Sequence, residues 1–240
     1  MTGPDVRAPI DARLPVALAR LHWSTPVGER RTVELDRVEA VPVPAETLLA
    51  GAGFAVVDAP TTSAGGRYTV ERMRSLPDTV GVGMWALVCG LNPSLVAADA
   101  GYGYAGPTNR FWPVAEACGL VTLPRDPLRA LLVDGVGMTD LVKRATPAAG
   151  ELTRDEYRAG AARVEALVSW LRPGAVVFVG LAGWRAAVDP KAGPGWQPDP
   201  FGSRPAYLMP STSGLNAATS RAQLEAHLRA AVSSPPPSLA

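Results

Sequence analysis

Ala175-Val-Val-Phe-Val179 is an unbroken run of five apolar residues, with Pro173-Gly174 in front of it and Gly180 behind. A strand without a polar face must be buried on both sides, and parallel sheets covered by helices are where such strands occur. Three more segments read the same way: Met84 to Leu91, with a break at Gly90, then Gly135 onward, and the short Ala206 to Met209. Helical patterns alternate with them. One runs from Asn109 to Cys118 and stops at Gly119, a residue suited to a left-handed helix end. Another is opened by the capping box Thr153-Arg-Asp-Glu156 and runs to Leu171. Shorter ones cover Leu181 to Val188 and Ser220 to Val232. This alternation predicts an α/β fold from residue 84 onward, an open and mostly parallel sheet with helices on both faces.

The 240 residues suffice for one such domain plus an extension, and 47% apolar content suffices for a full core. A formal charge of +1 excludes a polybasic nucleic-acid binder. Any DNA contact has to come from a local patch and from backbone N–H groups. Cys89 and Cys118 have no metal-ligand spacing and read as free thiols in a reducing compartment. No apolar run reaches the roughly 20 residues of a membrane span, and the N-terminus lacks a signal-peptide pattern. The expectation is a cytoplasmic, nucleoid-associated monomer with no membrane contact, no metal and no cofactor.

Residues 1–80 read as an N-terminal extension of unknown role. Met1 to Arg13 is polar, Leu14 to Leu21 is a short helix or strand, and Arg30 to Leu35 alternates like a strand. Ala45 to Ala52 reads as a helix ending at Gly53, with Phe54 to Val57 a strand after it. That rhythm resembles the last units of some methyltransferases, without a glycine loop for S-adenosylmethionine. Thr61 to Arg67 reads as a linker, Tyr68 to Leu76 as a short helix stopped by Pro77. Residues 81–232 are the catalytic-domain candidate, and 233–240 a Pro-rich tail.

The chemistry-bearing residues lie in two loops. The first follows the Ala86 strand: Gly90-Leu-Asn-Pro-Ser94, running on to Gly101-Tyr-Gly-Tyr-Ala-Gly-Pro-Thr-Asn-Arg-Phe-Trp112. It reads as irregular until Asn109 caps a helix. Polar groups after a buried strand are where open α/β sheets hold ligands. The second, Met209-Pro-Ser-Thr-Ser-Gly-Leu-Asn-Ala217, is a small-residue loop suited to phosphate contact, with an apolar Leu215 that packing does not explain.

These residues resemble the mismatch-specific uracil/thymine DNA glycosylases of the uracil-DNA glycosylase superfamily. The family's first motif is Gly-Ile/Leu-Asn-Pro-Gly, then an aromatic, then Asn-x-Phe-Trp. Asn92, Tyr104, Asn109, Phe111 and Trp112 fall at the matching spacings. The resemblance implies a three-layer α/β/α fold around a four-stranded sheet and excision of uracil from duplex DNA, especially opposite guanine. Mismatched thymine and other damaged pyrimidines are further candidate substrates.

Within that resemblance Asn92 would hold the attacking water, since an amide oxygen accepts a hydrogen bond but takes no proton at neutral pH. Without it, Asn92 is a turn former. Tyr104 would stack on the flipped base, or pack over the domain edge. Ser211 and Ser94 would touch the base, and Ser94 stands where the family has Gly. Leu215 would be the wedge that fills the gap left in the duplex, with Gly214, Ser213 and Asn216 contacting backbone or opposite strand. Asp140 lies in Gly137-Met-Thr-Asp-Leu-Val-Lys-Arg-Ala-Thr146, where the family has Asn or Lys. It is either a helix cap or a catalytic carboxylate that stabilises the cationic sugar or activates water. Thr146 matches a pocket Thr. Phe111 and Trp112 read as core, and Arg110, Lys143 and Arg144 as solvated charge. The rival reading, based on crowding by Ser94, is a DNA-damage binder that does not turn over.

Overall fold

The computed structural model describes residues 5–36, 41–61 and 65–233. The Pro-rich tail falls outside the described residues from 234 on.

Two sheets form. The first comprises β1 (Val6–Pro9), β2 (Arg30–Asp36), β3 (Phe54–Asp58) and β4 (Gly65–Arg72), in the order β1-β2-β4-β3. Helix α1 (Leu14–Ser24) links β1 to its parallel neighbour β2, and α2 (Ala45–Gly51) precedes β3. Strand β4 sits antiparallel between β2 and β3. The linker and short helix expected over 61–76 are therefore corrected where described. Tyr68 and Val70 are buried while Thr69 and Glu71 are only half-covered. That period of two fits a strand paired on both edges.

The second sheet carries the expected parallel core. It comprises β5 (Ala86–Gly90), β6 (Val136–Asp140), β7 (Ala175–Val179), β8 (Gly195–Trp196) and β9 (Ala206–Met209), in the order β6-β5-β7-β9-β8. Four strands run parallel. The two-residue β8 adds an antiparallel edge in what reads from sequence as a plain loop. Between β5 and β6 lie α3 (Leu95–Ala100), α4 (Phe111–Ala117) and α5 (Pro127–Leu132). After β6 come a short 3₁₀ turn at Ala149–Glu151 and α6 (Arg154–Leu171). Helix α7 (Leu181–Ala187) follows β7, and α8 (Arg221–Ser233) is the last element of the described residues. The α6 capping box is made as expected, Thr153 Oγ1 accepting from Glu156 N at 3.2 Å.

Strand alternation divides the core between the two faces. Leu87, Cys89, Val176, Phe178 and Leu208 pack under α6 and α7, in one continuous cluster with Leu14, Leu18, Leu49 and Val70 of the first sheet's unit. Val88, Met138, Val177, Tyr207 and Met209 face α4 and α8, with Phe111 and Trp112 buried among them as expected. The result is three layers, α/β/α, with the N-terminal unit fused to one side through shared apolar contacts.

Candidate active site

The cleft opens at the carboxyl ends of the parallel strands, where open α/β sheets bind ligands. Its volume is about 680 Å³. Gly90 to Ser94 after β5, Asp140 at the end of β6, Val179 of β7 and Ser211 to Asn216 after β9 all line it. All nine residues singled out in the two motifs and at position 140 border this one cavity: Asn92, Ser94, Tyr104, Asp140, Ser211, Ser213, Gly214, Leu215 and Asn216.

Asn92 is anchored by its nitrogen. Nδ2 donates to Thr146 Oγ1 at 2.8 Å and to Arg144 O at 2.9 Å, with Pro93 O at 3.1 Å. Among the described residues nothing donates to its Oδ1. A side-chain amide has two donors and one acceptor oxygen. Tying down the donors leaves the acceptor as the group available to the cleft. The loop is closed by backbone bonds from Leu141 N to Gly90 O, Val142 N to Leu91 O and Thr146 N to Pro93 O. Thr146 is buried and passes the chain on, its hydroxyl donating to Ala148 O at 2.9 Å.

Ser94 is the N-cap of α3, its hydroxyl accepting from Ala97 N at 3.1 Å. The loop after Ser94, expected to be irregular, thus begins with a helical turn. Asn109 acts one residue earlier than expected: α4 starts at Phe111, and Asn109 Oδ1 accepts from its N–H at 3.0 Å.

Tyr104 has φ +59°, a left-handed conformation that bulky residues rarely adopt and that costs about 1–2 kcal/mol. Stacking on Phe111, with centroids 4.1 Å apart and planes at 22°, holds the ring there. Its hydroxyl is buried without a partner among the described residues. Burial pushes that phenol well above its ordinary range, with the charge of Asp140 adding to the shift. Gly90 makes the crowding possible: a Cβ there would overlap the Asp140 carboxylate and stand 3.1 Å from Tyr104 Oη.

Asp140 closes strand β6, which corrects the helix-cap reading: no helix begins at it. Burial pushes its carboxyl up to about 6, against the opposing pull of Lys143 and Arg163 and with a contribution from Asp78. Among the described residues its carboxylate makes no hydrogen bond. A carboxylate poised near neutral pH at the floor of a cleft can take or hold a proton.

The second loop is held from beneath. Arg110 Nη2 donates to Asn216 O at 2.8 Å and to Ser213 O at 3.1 Å, Nη1 donates to Thr219 O, and Arg110 N donates to Thr212 O at 3.0 Å. Arg110 is thus a loop clamp, contrary to its reading as solvated charge. Asn216 Nδ2 donates to Ser211 O at 2.8 Å, and Ser213 Oγ accepts from Leu215 N at 3.3 Å. A Cβ on Gly214 would strike Thr108, so glycine lets the two loops touch. At the tip, Leu215 is 94% exposed, the most exposed large apolar side chain among the described residues.

Several contributors were missed. Thr212 lines the cleft with a buried hydroxyl that has no partner among the described residues. Leu76 forms a wall from the N-terminal side. Trp23 Nε1 donates to Gly101 O at 2.9 Å, and Arg74 pairs with Asp99, so that unit also braces the loop carrying Tyr104. Lys143 is also not solvated: it joins a buried network with Asp78, Thr139 and Arg163. Breaking such a network by removing one charge costs about 3–5 kcal/mol. Only the pairing geometry reveals these roles: Trp23, Arg74, Leu76, Asp78 and Arg163 stand outside the motifs, and the motif positions of Thr212, Thr139 and Lys143 do not announce their surroundings. No set of three or more His, Cys, Asp or Glu side chains among the described residues is arranged to hold a metal.

The model of the uracil DNA glycosylase superfamily matches residues 83–233, more than half of the chain and every part of the cleft except Leu76. A match of that extent shows the family: the chain belongs to the uracil DNA glycosylase superfamily.

Proposed function

We propose that this protein is a monofunctional DNA glycosylase of the mismatch-specific branch, which flips uracil out of duplex DNA and hydrolyses its N-glycosidic bond. Uracil opposite guanine is the main substrate, with mismatched thymine and other damaged pyrimidines as secondary ones. The observation that carries this reading is the tethered Asn92 amide, its oxygen without a donor among the described residues, in a cleft that Asp140, Tyr104 and the exposed Leu215 also line.

In this mechanism the duplex bends against the second loop, and Leu215 fills the space the base vacates. That offsets part of the few kcal/mol of unstacking. The base enters the cleft and lies against Tyr104. The C1′–N bond breaks, its electron pair leaves with the base, and the sugar becomes an oxocarbenium ion. Asn92 Oδ1 accepts a hydrogen bond from the water that attacks C1′. Asp140, as carboxylate, stabilises the cation and receives the water's proton. No lysine is assigned to a Schiff base, so the product is an intact strand with an abasic site.

The test is a labelled duplex with one U·G pair, incubated with the full-length protein and treated with alkali. Strand scission at the uracil is expected. Tight binding without an alkali-labile product would instead support the non-catalytic damage binder. Ser94, whose crowding of the base was the ground for that rival, has its hydroxyl engaged in capping α3. Parallel duplexes with U·A, T·G and alkylated C·G, and single-stranded uracil, define the range.

A further inference from the structure

We propose that Asp78 is a positioning residue for Asp140: it captures the cationic ends of Lys143 and Arg163, so that the carboxylate at the cleft floor has no ion-pair partner.

Asp78 comes from the segment that joins the N-terminal sheet to β5, outside the span matched by the superfamily. Its side chain is buried. Oδ1 receives Lys143 Nζ at 2.9 Å and the Thr139 hydroxyl at 2.6 Å, and Oδ2 receives Arg163 Nη1 at 2.5 Å. Both cations are nearly enclosed, with side chains 13% and 11% exposed. Arg163 does reach Asp140, but through the backbone: Nη2 donates to the Asp140 carbonyl at 2.6 Å. The guanidinium therefore fixes the strand end and leaves the carboxylate unpaired. Asp78 N in turn donates to Gly51 O, which anchors the segment to α2.

The groups facing Asp140 are Lys143 on the following loop, Arg163 on α6, Asp78, the Cys89 thiol on β5 and the Tyr104 phenol. Burial raises the thiol and the phenol, so both are neutral at pH 7. The local charge is then two cations set against one anion. Without Asp78, two uncompensated cations would draw Asp140 toward its ordinary acidity.

The test uses the full-length protein labelled with ¹³C at aspartate carboxyls, titrated by NMR, with the Asp140 signal assigned from Asp140→Asn. Asp78→Asn is expected to lower the Asp140 midpoint by about one unit, and Lys143→Met to raise it by a similar amount. If Asp78→Asn does not fold, the double variant Asp78→Asn/Lys143→Met, which removes one charge of each sign, replaces it, with a midpoint about one unit below that of Lys143→Met expected. An Asp140 midpoint unmoved by the loss of the Asp78 charge, in the single variant against wild type or in the double variant against Lys143→Met, overturns the proposal, as does a uniform loss of activity at every pH without a midpoint shift. The activity readout rests on the glycosylase reading, and its failure is distinguishable. A midpoint that moves while the pH limb of uracil excision stays fixed upholds Asp78 as the positioning residue and removes Asp140 from the chemistry.

Discussion

Thr146 Oγ1 lies 2.8 Å from Asn92 Nδ2, and with Arg144 O at 2.9 Å it ties the loop after β6 to the amide that lines the cleft. A donor to Ala148 O at the same time, Thr146 has its hydroxyl direction set. The orientation of Asn92 is therefore set in part by residues 52 and 54 positions away in sequence.

Thr146→Val keeps the shape and removes the hydroxyl. A lost hydrogen bond of roughly 1 kcal/mol at the reacting geometry predicts an excision rate about five- to tenfold lower under single turnover. Asn92→Ala removes the water's acceptor and should cost about 10²–10⁴-fold. Equal rates for Thr146→Val and wild type would show that the amide is held well enough by its two carbonyl partners.

Leu215→Ala changes a side chain that touches almost nothing in the free protein. Melting temperature should hold, since such surface changes stay within about 0.5 kcal/mol. Excision from duplex should fall about tenfold or more, and excision from single strands much less, because only the duplex needs its gap filled. Measuring both substrates side by side checks this, and equal losses on the two would rule out a wedge.

For Asp140 the pH dependence has a definite sign. Its folded pKa, about 6, lies above the ordinary 3.8 of an aspartate. The folded state therefore binds the proton more tightly than the unfolded one. The relative stability is full below about pH 4 and is lost as pH rises through 6, amounting to at most about 3 kcal/mol. Asp140→Asn should accordingly raise the melting temperature by a few degrees at pH 8 and by nothing near pH 4. The same variant should lose uracil excision to an extent comparable with Asn92→Ala, while wild-type activity climbs through pH 6. Calorimetry and single-turnover rates between pH 4 and 8 decide both points. An Asp140→Asn rate within about twofold of wild type would show that the carboxylate is dispensable.

Cations around the cleft are committed to protein partners. Arg110 holds loop carbonyls, Lys143 pairs with Asp78, Arg144 with Glu156 and Arg74 with Asp99. No lysine or arginine lines the cleft itself, and the formal charge over the chain is +1. Binding to a uracil-containing duplex should therefore depend weakly on salt, with a log–log slope shallower than about −3. Fluorescence anisotropy between low and high salt measures it, and a steep slope would reveal a cationic surface away from the cleft.

Much of the parallel core was legible because its signals are local. Ala175–Val179 is apolar throughout, Thr153 and Glu156 make their own cap, and Phe111 with Trp112 mark the face that α4 buries. The two motif loops could be read because spacing within a loop is a sequence property, and their lining of one cleft follows from parallel strands sharing a carboxyl end. Strand β4 was not legible as such: its alternation is short, and only pairing with β2 and β3 on both edges makes it a strand.

What tertiary structure alone decided is where charges and polar groups end up. Nothing near Arg110 in sequence announces three carbonyls from residues 213–219, and nothing near Asp78 announces Lys143 and Arg163. Asp140 has the same composition around it whether it caps a helix or ends a strand. Its raised pKa exists because folding removes water and brings the Asp78 charge near, against the pull of Lys143 and Arg163. Hydrophobic periodicity is written along the chain and survives in one dimension. Desolvation and ion pairing depend on distances between segments far apart in sequence, and those distances exist only once the chain has folded.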